Sequence, residues 1–312
     1  MTNDSSVGGA YWQRYGQVII VQLLVVIFLY INLLLIVTFF SKDFFYTTMR
    51  YILFAVTLLS DSLLLIMSDV LLILTYFRFT MQIGICVIMS IVVILYTFVT
   101  PVTLTAMTLE RFVAICMPLR HAELCSTRSA LQCILIIHGL SSIPCIFIYS
   151  FFFASATHGL YTQDKICSVE IFILRNWHDH FRSAISQFYF LIMCITIVFS
   201  YVKIMKVAKA ASGENKKSTW KGLRTVVLHA FQLLLCLIQL WCPFIESATL
   251  QIDSILFVSV RYFTYITFYL APRCLSPLIY GLRDEMFFHA LKYYALCGLY
   301  KRQSSDLSCL TN

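Results

Sequence analysis

Five stretches of this chain contain no formally charged residue, and each is long enough to cross a bilayer as a helix. They lie between Arg14 and Lys42, Arg78 and Glu110, Arg128 and Asp164, Arg182 and Lys203, and Arg224 and Glu246. A helix needs about 20 apolar residues to span the hydrocarbon core. Two further apolar runs carry isolated charges: Tyr51–Tyr76 holds Asp61 and Asp69, and Tyr262–Leu282 holds Arg273. That makes seven. Transmembrane strands would alternate over segments of about 10 residues, and these runs do not alternate. With 60% hydrophobic residues against 12% charged, too little polar surface is left to cover a soluble globule. The 26 Phe and 18 Tyr exclude a disordered chain. The expected fold is an all-α membrane protein, a seven-transmembrane helix bundle with a short interfacial helix after the seventh span. Its parts are an extracellular N-terminus (1–17), the bundle (18–282) and a cytoplasmic tail (283–312).

Orientation follows from the basic residues. With the N-terminus outside, 16 of the 23 Lys and Arg fall on cytoplasmic segments, six fall outside, and Arg273 is intramembrane. That bias is the positive-inside pattern. The whole net charge of +8 then sits on the inner face, which fits an anionic leaflet or an acidic partner and not a nucleic acid. Asn3-Asp4-Ser5, an N-x-[ST] glycosylation acceptor at Asn3, lies on the outer side, followed by Tyr11, Trp12 and Tyr15 at aromatic-belt depth. The first 17 residues are too polar for a signal-peptide core, so the first span is expected to direct insertion. No repeat or matched pair of broken helices suggests a duplicated transporter.

Of the 12 cysteines, Cys133, Cys145, Cys194, Cys236 and Cys242 lie inside spans and read as small buried hydrophobes. Cys86 and Cys167 face the oxidising side. Cys297 and Cys309, in the tail, are candidates for palmitoylation. No catalytic signature is present: neither GxSxG, HExxH, a Walker A loop nor GxGxxG occurs. No enzymatic activity, cofactor or metal is therefore expected. His178-Asp179-His180 is a weak metal candidate, more simply read as solvated loop polarity.

The strongest local signal is Met107-Thr108-Leu109-Glu110-Arg111-Phe112-Val113-Ala114-Ile115-Cys116-Met117-Pro118-Leu119-Arg120-His121. It resembles the MAYDRYVAICxPLxY signature of odorant receptors, within the rhodopsin-like G-protein-coupled receptors. Other landmarks follow in order: Asn32, Asp61, Cys86 at 25 residues before Arg111, Ser200-Tyr201, Lys221–Thr225 with His229, and Pro277-Leu278-Ile279-Tyr280-Gly281-Leu282-Arg283-Asp284. The resemblance covers about Asn32 to Asp284. It implies a Cys86–Cys167 disulfide, G-protein coupling through Glu110, Arg111, Phe112, Tyr201 and Tyr280, and a polar switch at Asn32, Asp61 and Ser276. It also implies a small-molecule odorant or chemosensory ligand, a heterotrimeric G protein of stimulatory type, and a plasma-membrane location.

The departures are specific. Asp-Arg-Tyr is Glu-Arg-Phe, the helix 7 Asn-Pro is Ser276-Pro277, and the second outer loop has Cys167 as its only cysteine. The sixth span ends in Trp241-Cys242-Pro243, leaving two alignments about one turn apart. These point to a divergent, teleost-type branch or to a non-olfactory receptor.

Asp61 is a functional candidate because an ionisable group at mid-span is costly. Arg273 requires a partner: Asp61, or water in the core. No acid lies between Lys216 and Thr225, so Arg111 has no carboxylate there to lock it to the start of the sixth span. Pro243 and Pro277 are expected to loosen their helices and serve as hinges. Phe287, Leu291 and Tyr294 fall on one face of the expected interfacial helix. The ligand is expected in the outer half, against Val93, Ile94, Thr97 and Phe98 of the third span and Ile266 and Tyr269 of the seventh. Such a lining, apolar with a few polar groups, suits a small molecule. Asp69 and Glu246 read either as rim charges or as pocket acids that select an amine. The rival class, a transporter or channel, needs a continuous polar path, and Asp61, Asp69 and Arg273 are too few to line one.

Overall fold

The computed structural model describes residues 4–40, 43–124, 126–156, 158–160, 162–167, 169–172, 176–211, 227 and 230–275. The landmarks Asn3, the Lys221–Thr225 run, His229, Ser276, Pro277, Tyr280, the tail cysteines and the expected interfacial helix lie outside the described residues.

Among the described residues, five helices are long and apolar enough to cross a membrane. They are Tyr15–Phe40 within α1 (Asp4–Phe40), α3 (Met49–Tyr76), α4 (Ile83–Cys116), α6 (Thr127–Ser155) and His180–Val207 within α7 (Asn176–Ala211). Short helices α2 (Asp43–Thr47) and α5 (Pro118–Leu124) lie between α1 and α3 and between α4 and α6. The α1 helix begins well before the apolar span itself, so the segment expected as a simple N-terminal extension is helical from Asp4. Ser126 caps α6 by accepting from the Ser129 N–H at 3.2 Å, satisfying one of the donors a helix start leaves open.

The sixth and seventh runs, both expected as spans, are irregular, the sixth at the proline expected to loosen it. The sixth forms α8 (Ala230–Gln239) and α9 (Cys242–Ile252), parted at Leu240–Trp241 just before Pro243. Proline has no N–H, and its ring opposes the carbonyl four residues back, here that of Gln239. The charge-free run marks apolarity; the proline decides continuity. The seventh run starts as α10 (Ser254–Thr264), passes through a π-helical turn at Tyr265–Leu270 and returns to α-helix up to Leu275.

Apolar packing centres on α4, the most deeply buried of the five spans, which contacts α3, α6 and α7. Leu53, Leu58, Val99 and Leu104 are fully buried there. A second cluster of Val21, Val25, Leu65 and Leu270 joins α1 and α3 to the seventh run. Buried hydroxyls return to the carbonyl four residues earlier: Thr57 to Leu53, Thr103 to Val99, Thr108 to Leu104 and Ser200 to Thr196. Lipid offers no alternative partner, so this local bonding is what makes them tolerable.

The end of the bundle that holds Cys86 carries a small sheet. Strand β1 (Thr80–Gln82) pairs antiparallel with β2 (Asp164–Ile166), in register Thr80↔Ile166 and Gln82↔Asp164. The Ile83 N–H donates to the Gln163 carbonyl at 3.1 Å, and a disulfide joins Cys86 to Cys167 with a Cα–Cα distance of 5.5 Å. Between α3 and β1, Arg78 sits at φ 51°, a left-handed conformation uncommon outside glycine.

Candidate functional site

The polar centre of the bundle is built on Asp61 of α3. Its Oδ1 lies 3.6 Å from Arg273 Nε, and both side chains are about 1% exposed. The same oxygen accepts from the Thr100 hydroxyl of α4 at 2.9 Å. Arg273 also donates to Gln239 Oε1 of α8 at 3.3 Å and to the Tyr269 carbonyl, with its guanidinium 5.7 Å from the Tyr269 ring centre. Nearby, the Gln232 amide donates to the Pro272 carbonyl at 3.3 Å. One ion pair thus ties α3, α4, α8 and the seventh run together. Arg is suited to the role because its planar fork reaches several acceptors at once. Of the two partners the sequence left open for Arg273, the structure gives Asp61. Asn32, also buried, donates instead to Ser62 Oγ at 3.2 Å, one residue along from Asp61.

At the C-terminal end of α4, Glu110 and Arg111 are both buried, the last charged pair before the helix stops at Cys116. Glu110 Oε1 lies 3.3 Å from His121 Nε2 on α5. Phe112 meets the Phe199 ring of α7 at 6.0 Å, and Tyr201, half-buried, packs against the main core.

Toward the opposite end of the bundle, Asp69 Oδ1 accepts from the Gln22 amide at 2.6 Å, the Ser68 and Tyr265 hydroxyls are 3.2 Å apart, and Glu246 Oε1 accepts from Thr264 at 2.7 Å. Both acids therefore carry neutral hydrogen-bond donors from neighbouring elements. Val93, Ile94 and Phe98 are buried, with Phe98 edge-on to Tyr189 of α7 at 5.4 Å. Thr97 turns its hydroxyl back to the Val93 carbonyl. Ile266 packs into the α1–α3 cluster, and Tyr269 stacks on Tyr265 beside Arg273. The structure thus places Ile266 of the seventh run against the α1–α3 cluster and Tyr269 beside the ion pair. His178 is buried and stacked on Phe151, whereas His180 is exposed, so the two histidines do not share a face.

Four partners escaped the sequence reading. Thr100 carries no charge to mark it. Gln232 and Gln239 stand seven residues apart in an apolar span, a helical-face spacing that was the available signal. His121 occupies the position of the Tyr that closes the PLxY motif.

Comparison with known proteins agrees with this architecture. The family model described as 7 transmembrane receptor (rhodopsin family) matches residues 31–280. Odorant receptor 131-2 of Danio rerio is 44% identical over 80% of this chain and 77% of its own length. Growth hormone secretagogue receptor type 1 of Oryctolagus cuniculus is 24% identical over 61% of this chain and 56% of its own. Galanin receptor 2a of Danio rerio is 23% identical over 70% and 60%. The chain spans less than two thirds of these last two. The extent of the family match and the 44% relative together establish that the chain belongs to the rhodopsin family of seven-transmembrane receptors, on the branch that holds teleost-type odorant receptors.

Proposed function

We propose that this protein is a G-protein-coupled odorant receptor. A small molecule entering from outside biases the helix bundle, and the inner face catalyses nucleotide exchange on a heterotrimeric G protein of the stimulatory type. The observation that carries the reading is the inner end of α4: Arg111, 6% exposed, beside Glu110 in the Glu-Arg-Phe motif. In this reading α8–α9 is the sixth span, α10 and its continuation form the seventh, the N-terminus is extracellular and glycosylated at Asn3, and the tail carries the interfacial helix on the inner leaflet. Coupling then runs through Glu110, Arg111, Phe112, Tyr201 and Tyr280, with Asn32, Asp61 and Ser276 in the core switch. The break before Pro243 supports a hinge that swings the inner end of the sixth span outward. The ligand acts only through its differential affinity for the two states. A transport path is disfavoured because Asp61 and Arg273 engage each other across the core.

Arg111→Ala should reach the surface normally and lose most ligand-stimulated nucleotide exchange, measured by cAMP accumulation and by labelled-GTP uptake on purified G protein. Full exchange by that variant would remove the basis of the coupling assignment.

The ligand class is tested separately. If Asp69 and Glu246 face the ligand, amines should outperform isosteric alcohols, because a charge pair gains in a low-dielectric site. Asp69→Asn and Glu246→Gln should then each reduce the amine response about tenfold, roughly the 1.4 kcal/mol of a modest ion pair. Equal dose–response curves for both series in all three proteins would leave an uncharged odorant as the ligand.

A further inference from the structure

His121 stands where the odorant-receptor signature has a tyrosine, and its Nε2 lies 3.3 Å from Glu110 Oε1. The two partners differ in their surroundings: the Glu110 side chain is 8% exposed and that of His121 38% exposed. The carboxylate is therefore held in the protein while the imidazole has access to cytosolic protons. Charged groups on the elements that meet here are Glu110 and Arg111 of α4 and Arg120 and Glu123 of α5. Among the side-chain types present, only an imidazole ordinarily changes charge between about pH 5 and 8. A tyrosine at this position would stay neutral up to about pH 10.

The pair also has a geometric consequence. Helix α5 packs on α4, and Met117, in a non-helical conformation, separates them. The Glu110–His121 contact closes that corner. Glu110 and Arg111 are adjacent and both buried, so the charge on one is felt by the other with little screening. When His121 is neutral, the full carboxylate charge acts on Arg111. When His121 is protonated, that charge is shared with the imidazolium through a charge-assisted hydrogen bond.

We propose that His121 is a proton-responsive positioning residue: charging its imidazole draws on the Glu110 carboxylate and releases Arg111, so that cytosolic acidification raises nucleotide exchange. The proposal rests on the coupling reading above. No bond other than N–H is made or broken, and the proton comes from the cytosol.

The test uses the full chain in lipid nanodiscs, in wild-type form and as His121→Tyr and His121→Lys. Tyrosine keeps a hydroxyl donor for Glu110 without titrating in range, and lysine holds a permanent charge. Ligand-independent exchange on purified G protein, taken as the ratio between pH 6.2 and pH 7.8, should rise about threefold in wild type, the size expected of a half-exposed ion pair. It should be flat and low for His121→Tyr, and flat and high for His121→Lys. Normalising to His121→Tyr removes the pH response of the G protein itself. A second readout omits the G protein: an environment-sensitive fluorophore introduced genetically at Leu119, which is 96% exposed on α5, should show a pH step in wild type alone. Equal pH ratios in wild type and His121→Tyr, or a wild-type ratio that falls on acidification, would overturn the proposal. A fluorescence step without any exchange would leave the proton link standing and remove the coupling reading instead.

Discussion

Arg273→Ala should leave the receptor in the cell interior and unfolded, with a loss of about 3–5 kcal/mol. The alanine itself is harmless in an apolar helix. The damage comes from Asp61, which keeps a carboxylate in a site 1% exposed with no cation opposite it. Taking a charge from water into such a place costs several kcal/mol, and the attraction between partners is what offsets it. Asp61→Asn alone should be nearly as harmful, since it strands the guanidinium against Gln239 and the Tyr269 carbonyl. The double variant Asp61→Asn/Arg273→Gln removes both charges and keeps hydrogen-bonding groups within reach of Thr100 and Gln239. It should therefore be more stable than either single variant, with a coupling energy of about 2 kcal/mol in the double-mutant cycle. Surface labelling and thermal unfolding in detergent measure both quantities. Additive losses in the cycle would mean that the two charges do not depend on each other.

That pair also shows what the sequence discloses and what it hides. Formal charges inside apolar runs stand out, so Asp61 and Arg273 were visible as a problem needing a partner. Their neutral companions were not, because Thr100 and Gln239 look like ordinary polar residues until the fold sets them beside a carboxylate and a guanidinium. The same contrast holds for the backbone. Four of the five spans follow from charge-free runs and α3 from an apolar run that carries Asp61 and Asp69, because lipid demands long apolar helices. The break at Leu240–Trp241 and the π-helical turn at Tyr265–Leu270 leave the hydropathy unchanged, so only Pro243 hinted at one of them. At the inner end, Glu110 was read with its neighbour Arg111, whereas the structure adds His121 from a separate helix. Contacts between elements are set by packing, and a linear motif records only neighbours in the chain.

The β1–β2 sheet was illegible for a different reason: strands of three residues carry too short a pattern to distinguish from loop. Its role is nonetheless open to test through the disulfide. Cys86 and Cys167 are 81 residues apart in sequence, and closing a loop of that length stabilises by about 4–5 kcal/mol on the chain-entropy model. That figure is an upper bound, because the helices between the two cysteines persist in an unfolded membrane protein and already restrict the chain. Local contacts supply the remaining hold on the second outer loop: the β1–β2 pairing, the Ile83 N–H to the Gln163 carbonyl, and the Thr75 hydroxyl to the Cys167 carbonyl at 3.2 Å. Cys86→Ser and Cys167→Ser should each abolish surface expression, and Cys86→Ala/Cys167→Ala should do no worse than either, since one bond is lost in all three. Thr75→Val, which removes a single neutral hydrogen bond, should cost only about 1 kcal/mol and still reach the surface. Surface labelling of the four variants gives the comparison. Normal trafficking of both serine variants would show that the strand pairing and the Thr75 contact suffice to hold the loop, and that the covalent link is dispensable.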